Sequence, residues 1–94
     1  MKVIYKYPLE IKEKQEILLP DNHQILDVQV QNNIPCLWVL LDSDDLKPSS
    51  THSFNIFLYA TGQQFIDCGL NYISTFQMMQ GSYIIHAFWN WTGK

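Results

Sequence analysis

The sequence predicts an all-β fold, a single small antiparallel β-sandwich or barrel of about seven strands spanning residues 1–94. Three observations predict it. Leu26, Val28 and Val30 alternate with Asp27, Gln29 and Gln31, the period of two that gives a strand one dry face and one wet face. Asn32 and Asn33 follow, and because Asn tolerates a positive φ better than other non-glycine residues, the chain is expected to double back there as a hairpin. No segment sustains helical periodicity over about three turns.

Taken in order, residues 1–7 read as the first strand, with Val3, Tyr5 and Tyr7 on one face and Ile4 on the other. Pro8 ends it by removing a ladder donor. Residues 11–15 are a charged connector, and 16–19 make a short second strand closed by the turn-forming run Pro20, Asp21, Asn22. The hairpin of residues 24–42 comes next. Its return strand, Cys36 to Leu41, is apolar at both parities and so is expected to be covered on both faces, by another sheet, a helix or a second subunit. Residues 42–53 form the longest polar stretch, and Asp44, Asp45, Pro48 and Ser49 mark it as an exposed loop. Residues 54–61 resume a strand, again largely apolar at both parities, that stops at Gly62. Phe65, Ile66 and Leu70 fit one helical turn as well as irregular structure, so 63–70 is read as a loop or a short helix. Residues 71–78 and 82–91 make a last hairpin around Gln80 and Gly81. Val28, Val30, Leu37, Val39, Ile56 and Leu58 are the predicted core.

Composition narrows the function classes. Ninety-four residues fit one domain, and 47% apolar with 14% aromatic content supplies a core without metal or disulfide staples. No run approaches the roughly 20 apolar residues of a membrane span, and the start lacks the apolar region of a signal peptide, so a soluble, cytosolic protein is expected. Six lysines, no arginine and nine acids give a net charge of −3, which offers no basic stripe to a phosphate backbone. Direct nucleic-acid binding is not expected. The same acids are too scattered to imitate a nucleic acid well.

The residues that could carry chemistry do not assemble into a known site. Cys36 and Cys68 lack CxxC spacing and read as core fillers, while His23, His52 and His86 form no paired metal-ligating motif. His86 sits in an apolar strand, where a neutral imidazole hydrogen-bonded to a neighbour is expected. Asp42, Asp44 and Asp45 resemble half of a calcium loop, but the following Leu46, Lys47 and Pro48 supply neither its glycine turn nor its distal Glu. Ser49, Ser50 and Thr51 adjoin His52, yet no acid is placed to orient that ring and no strained elbow flanks it. Neither a catalytic constellation nor a cofactor or metal site is predicted.

The aromatic residues of the closing strand are the better clue. Trp89 and Trp91 share a strand face, Phe88 takes the other, and Tyr83 precedes them on the tryptophan side. That is more aromatic surface than a small core absorbs, so these four are the predicted binding or interface residues. A core plug, a homo-oligomer interface and a stacking pocket for a ring-shaped ligand are the three readings of them. Open strand edges, which pair across a two-fold axis, favour the oligomer.

One resemblance covers nearly the whole chain. Tyr7-Pro8-Leu9, Val28-Gln29-Val30-Gln31-Asn32, Pro35-Cys36-Leu37-Trp38-Val39-Leu40, then Tyr59, Thr61, Gly62, Tyr72-Ile73-Ser74-Thr75-Phe76-Gln77, and a closing strand with His86 and Phe88 resemble a family of small uncharacterised bacteriophage proteins. The resemblance implies an accessory phage protein acting in the host cytoplasm and carries over no activity or site residue. Three function classes follow: a non-enzymatic binding protein that inhibits a host factor such as an immune component, an oligomer that sequesters a nucleotide-like ligand, and a virion structural or assembly part.

Overall fold

In the computed structural model of the protein the described residues are 1–46 and 51–93. Among them seven strands form: β1 (Lys2–Pro8), β2 (Lys14–Pro20), β3 (His23–Gln31), β4 (Ile34–Asp42), β5 (Thr51–Ala60), β6 (Asn71–Met78) and β7 (Tyr83–Trp91). They make two antiparallel sheets, ordered β1-β4-β3 and β2-β5-β7-β6, which pack as a sandwich and do not close into a barrel. Asn32 and Asn33 take positive φ values of 53° and 64° in the β3–β4 turn, as their side chains allow.

The core lies between the sheets. Leu37, Val39 and Leu41 of β4 face Leu19, Ile56 and Ala87 from the other sheet, all fully buried. Of the predicted core, Val28, Leu37, Val39, Ile56 and Leu58 are buried, and Val30 is half-buried against the same cluster. The outward positions of β4 differ from expectation, because no second layer covers them among the described residues. Cys36 is buried and Trp38 and Leu40 are half-buried, with neighbouring strands supplying cover. Lys6 reaches across, its Nζ 6.0 Å from the Trp38 ring and donating to Gln31 Oε1, so its aliphatic stem shields apolar surface.

Two bulges correct the simple alternation. Ile25 and Asp27 pair with consecutive residues Val39 and Trp38, which leaves Leu26 as the extra residue of β3 and 41% exposed instead of on the dry face with Val28. Tyr72 and Ser74 likewise pair with Phe88 and Ala87, and Ile73 is the extra residue of β6. Both bulges sit where the edge strands β3 and β6 meet. There Ser74 Oγ accepts from Val28 N at 3.0 Å and donates to Val28 O at 2.9 Å, so one hydroxyl satisfies backbone groups that an edge strand would leave open.

Element ends also shift. β2 starts at Lys14, two residues into the expected connector, because Lys14 and Gln15 pair with Phe57 and Ile56. β5 starts at Thr51, opposite Pro20, and so takes residues from the expected polar loop. Ser43–Asp45 forms a 3-10 turn capped by the Asp42 carboxylate, which accepts from Asp44 N at 3.1 Å. Lys47, Pro48, Ser49 and Ser50 of that loop, and Lys94 of the tail, lie outside the described residues.

No helix forms in 63–70. β5 and β6 are both antiparallel to β7 and flank it, so they run parallel to each other and the segment 61–70 must cross over β7. It must also run back from the level of Ile85, opposite Ala60, to that of Trp89, opposite Asn71, roughly 13 Å along the sheet. The segment covers that span as irregular backbone. Gly62 and Gly69, at φ 86° and 81°, make the corners at either end.

Candidate functional site: the outer face of the four-stranded sheet

Strand register builds an aromatic surface on the side of this sheet away from the core. Phe57, Phe88 and Tyr72 form one row across β5, β7 and β6, and Tyr59, His86 and Thr75 form the next. The crossover adds Phe65, whose ring stacks on Tyr59 at 4.1 Å between centroids with 4° between planes. Phe65 also lies 5.5 Å from Phe88, and Tyr72 meets Phe88 edge-on at 5.6 Å. Such offset and edge contacts are the preferred arrangements of ring quadrupoles. Tyr59 is sealed beneath Phe65, whereas Phe65 itself is 42% and Tyr72 60% exposed.

A hydrogen-bonded chain borders the rings. His86 Nε2 lies 2.7 Å from Thr61 Oγ1, His86 Nδ1 lies 2.9 Å from Thr75 Oγ1, and Thr75 Oγ1 lies 2.7 Å from the Tyr72 hydroxyl. Each hydroxyl is donor or acceptor as needed, so either neutral tautomer of the imidazole is satisfied. The expectation that His86 is hydrogen-bonded to a neighbour holds. Its partners are neutral hydroxyls that fix the ring and leave a polar margin on an apolar surface. Burial raises the Tyr59 pKa, and the Glu13 carboxylate and Cys68 push it the same way, so the phenol stays protonated.

The four residues singled out by sequence are not brought together. Phe88 is at the centre of the ring cluster, but Trp89 turns inward and packs edge-on against Phe54 at 5.7 Å. Tyr83 stands at the β6–β7 turn, 55% exposed, and Trp91 at the other end of β7, 59% exposed, roughly 27 Å away along the strand. Phe57, Tyr59, Phe65 and Tyr72 were not among the predicted site residues. The signal for the first two was the double-parity apolar pattern of β5, which marks an outer face that something must cover.

The other candidates are dispersed. Both thiols are free, Cys36 buried as expected and Cys68 exposed on the crossover, contrary to its reading as a core filler. His52 does have an acid beside it: Asp21 Oδ1 contacts its Nε2, because the pairing of Pro20 with Thr51 brings the β2–β3 turn next to the start of β5. Sequence adjacency alone could not reveal that contact. The Met1 ammonium lies 3.5 Å from Asp42 and 3.7 Å from Asp44, and the N–H of Asp44 holds the Asp42 pKa below its ordinary value.

The chain belongs to the family of the domain of unknown function DUF7352, which matches residues 1–94. No curated protein and no solved structure matches it.

Proposed function

We propose that the protein is a non-enzymatic binding module whose contact surface is the aromatic outer face of the four-stranded sheet. The observation that carries this reading is the cluster of Phe57, Tyr59, Phe65, Tyr72 and Phe88, assembled from three strands and a dedicated crossover and left partly open. Rings with few rotatable bonds lose little entropy on docking, and Tyr and Phe are enriched at the centres of interfaces. Hydroxyls at the margin, on Tyr72, Thr61 and Thr75, supply the polar rim.

The setting in this reading is the one the sequence resemblance implies, an accessory phage protein that engages and inhibits a host defence factor in the bacterial cytoplasm. Self-association through the same face is the oligomeric form of the proposal. A photo-crosslinking side chain placed at Tyr72, and separately at Trp38 on the opposite sheet, tests it in host cells. A defined host protein, or a second copy, captured from position 72 and lost in Phe88→Ala supports the reading. Equal capture from both positions, or none from 72, overturns it.

A further inference from the structure

We propose that the end of the sandwich formed by the β3–β4 and β6–β7 turns is a second binding site, for a small uncharged molecule with an apolar ring body and one hydrogen-bonding edge. The two turns and Ile11 of the β1–β2 connector enclose a cleft of about 660 Å³, floored by Met78 and Ile85. A narrower recess of about 190 Å³ shares Ile11, Met78 and Ile85, is lined also by Leu58 and Phe76 of the core, and carries Lys12 and Glu13 of the connector on its wall. The site is distinct from the aromatic outer face.

Three features select the occupant. The main cleft falls within the roughly 300–1,000 Å³ of small-molecule sites. None of its lining residues is charged, so an anion or cation entering it would shed water without gaining an ion pair, whereas Asn33, Gln80 and Ser82 offer neutral hydrogen bonds. That lining argues against a phosphate-bearing ligand. A second copy of the chain is a poor fit for size: Ile11, Met79 and Tyr83 are 66%, 64% and 55% exposed. Three exposed side chains fall far short of the roughly 20 to 30 residues a side that a stable interface uses.

The β6–β7 turn is shaped for this display. Met79 and Gln80 both hold positive φ, 50° and 58°, ahead of Gly81 at 87°, a backbone conformation that non-glycine residues other than Asn adopt at a cost. It leaves the flexible Met79 thioether at the mouth of the cleft, above the buried Met78, and methionine adapts its shape to varied apolar ligands.

Indole is a suitable probe, with a ring body and one N–H, and indole-3-carboxylate is its charged counterpart. Full-length protein labelled at the methionine methyls reports on the site directly, because Met78 and Met79 line it and Met1 lies at the far end of β1. Indole is expected to shift the Met78 and Met79 signals saturably, to leave Met1 in place, and to bind at least tenfold more tightly than the carboxylate. Ile11→Trp, at an exposed position outside the core, is expected to fill the mouth and lower indole affinity at least tenfold with the methyl spectrum of Met1 unchanged. Tyr72→Ala on the outer face is expected to leave it within twofold. Equal shifts at all three methionines, equal binding of the carboxylate, no effect of Ile11→Trp, or Met79 shifts that follow protein concentration without probe would each overturn the proposal.

Discussion

On the three-stranded sheet the outward positions carry Lys2, Lys6, Gln24, Asp27, Gln29 and Gln31, with the aliphatic Ile4, Ile34 and Leu40 among them and one large ring, Trp38. On the four-stranded sheet they group four rings, Phe57, Tyr59, Tyr72 and Phe88, beside one imidazole, His86, with Lys14, Glu16, Asn55, Thr75 and Gln77 around them. The two faces rest on the same core and the same strand geometry, so the difference is one of side-chain freedom. Lysine and glutamine each surrender about 1.5 to 2 kcal/mol of rotamer entropy when immobilised, which disfavours docking onto them. Rings already held against each other have much less to lose. The first face is suited to staying in water, with Lys6 folded over Trp38 as its cover. The second is suited to being covered by something else.

The comparison presumes one shared core, and the largest effects test that premise. Leu37→Ala beneath the first face and Leu58→Ala beneath the second should each cost about 2 to 5 kcal/mol in urea unfolding. Resonances of the two sheets should melt at one midpoint in both variants. Two midpoints would show sheets that fold separately and would remove the basis for comparing their faces.

Next in size is the contrast between the rings themselves. Phe88→Ala should weaken capture of the crosslinked partner tenfold or more, about 1.4 kcal/mol, while Trp38→Ala should leave it within about twofold. The reverse ranking would assign the contact to the wrong sheet. Ser74→Ala, at the seam between the sheets, should cost about 1 to 2 kcal/mol and speed hydrogen exchange at the Val28 amide, since that N–H loses its hydroxyl acceptor. An unchanged exchange rate would mean that the Asp27 carboxylate, 2.9 Å from the same N–H, suffices alone.

The smallest effects are on titration. Tyr59 has a raised pKa in the folded protein, so its contribution to stability is complete below the ordinary value of 10.0 and is lost as pH rises through the folded value. Phe65→Ala should admit water to the phenol and bring its ionisation back toward 10.0 in an ultraviolet titration. Asp42 has a lowered pKa, so its contribution is present above the ordinary value of 3.8 and is lost as pH falls through the folded value. Asp42→Asn should therefore lower stability by a constant amount above about pH 4 and remove that part of the acid limb, so that the two profiles converge in acid; a variant that keeps the full acid limb would contradict the assignment.

Much of the fold was legible because burial leaves a periodic trace. Val28 and Val30 advertise their face by spacing, β4 and β5 advertise interior strands by being apolar at both parities, and Asn32-Asn33 advertises its turn by backbone preference. A bulge leaves no such trace. Leu26 and Ile73 are apolar residues in strands of mixed polarity, and only the partner strand shows that each is one residue too many. The candidate site was less legible still, since its rows join residues from strands far apart in sequence. Phe88 was visible as an aromatic residue, but its neighbours Phe57 and Tyr72 are set by register, and Phe65 by a crossover whose path depends on strand order. Trp89 and Trp91 share parity, yet one lies over the core and the other past its end.

The order in which the strands are assigned to sheets has a consequence for how the chain is made. β1 and β2 are consecutive but belong to different sheets; β1 has no partner until β4 is synthesised, and β2 none until β5. A nascent chain leaving the ribosome therefore carries two unmatched strands through much of its synthesis, and Ile17 and Leu19 meet Phe54 and its neighbours only after the hairpin of β3 and β4 has emerged. Closing such long loops is slow, so folding in the millisecond-to-second range of β proteins is the natural outcome, with aggregation of incomplete chains as its main competitor. No cut in the sequence leaves two self-sufficient pieces, because every early fragment lacks the partner that its own strands require.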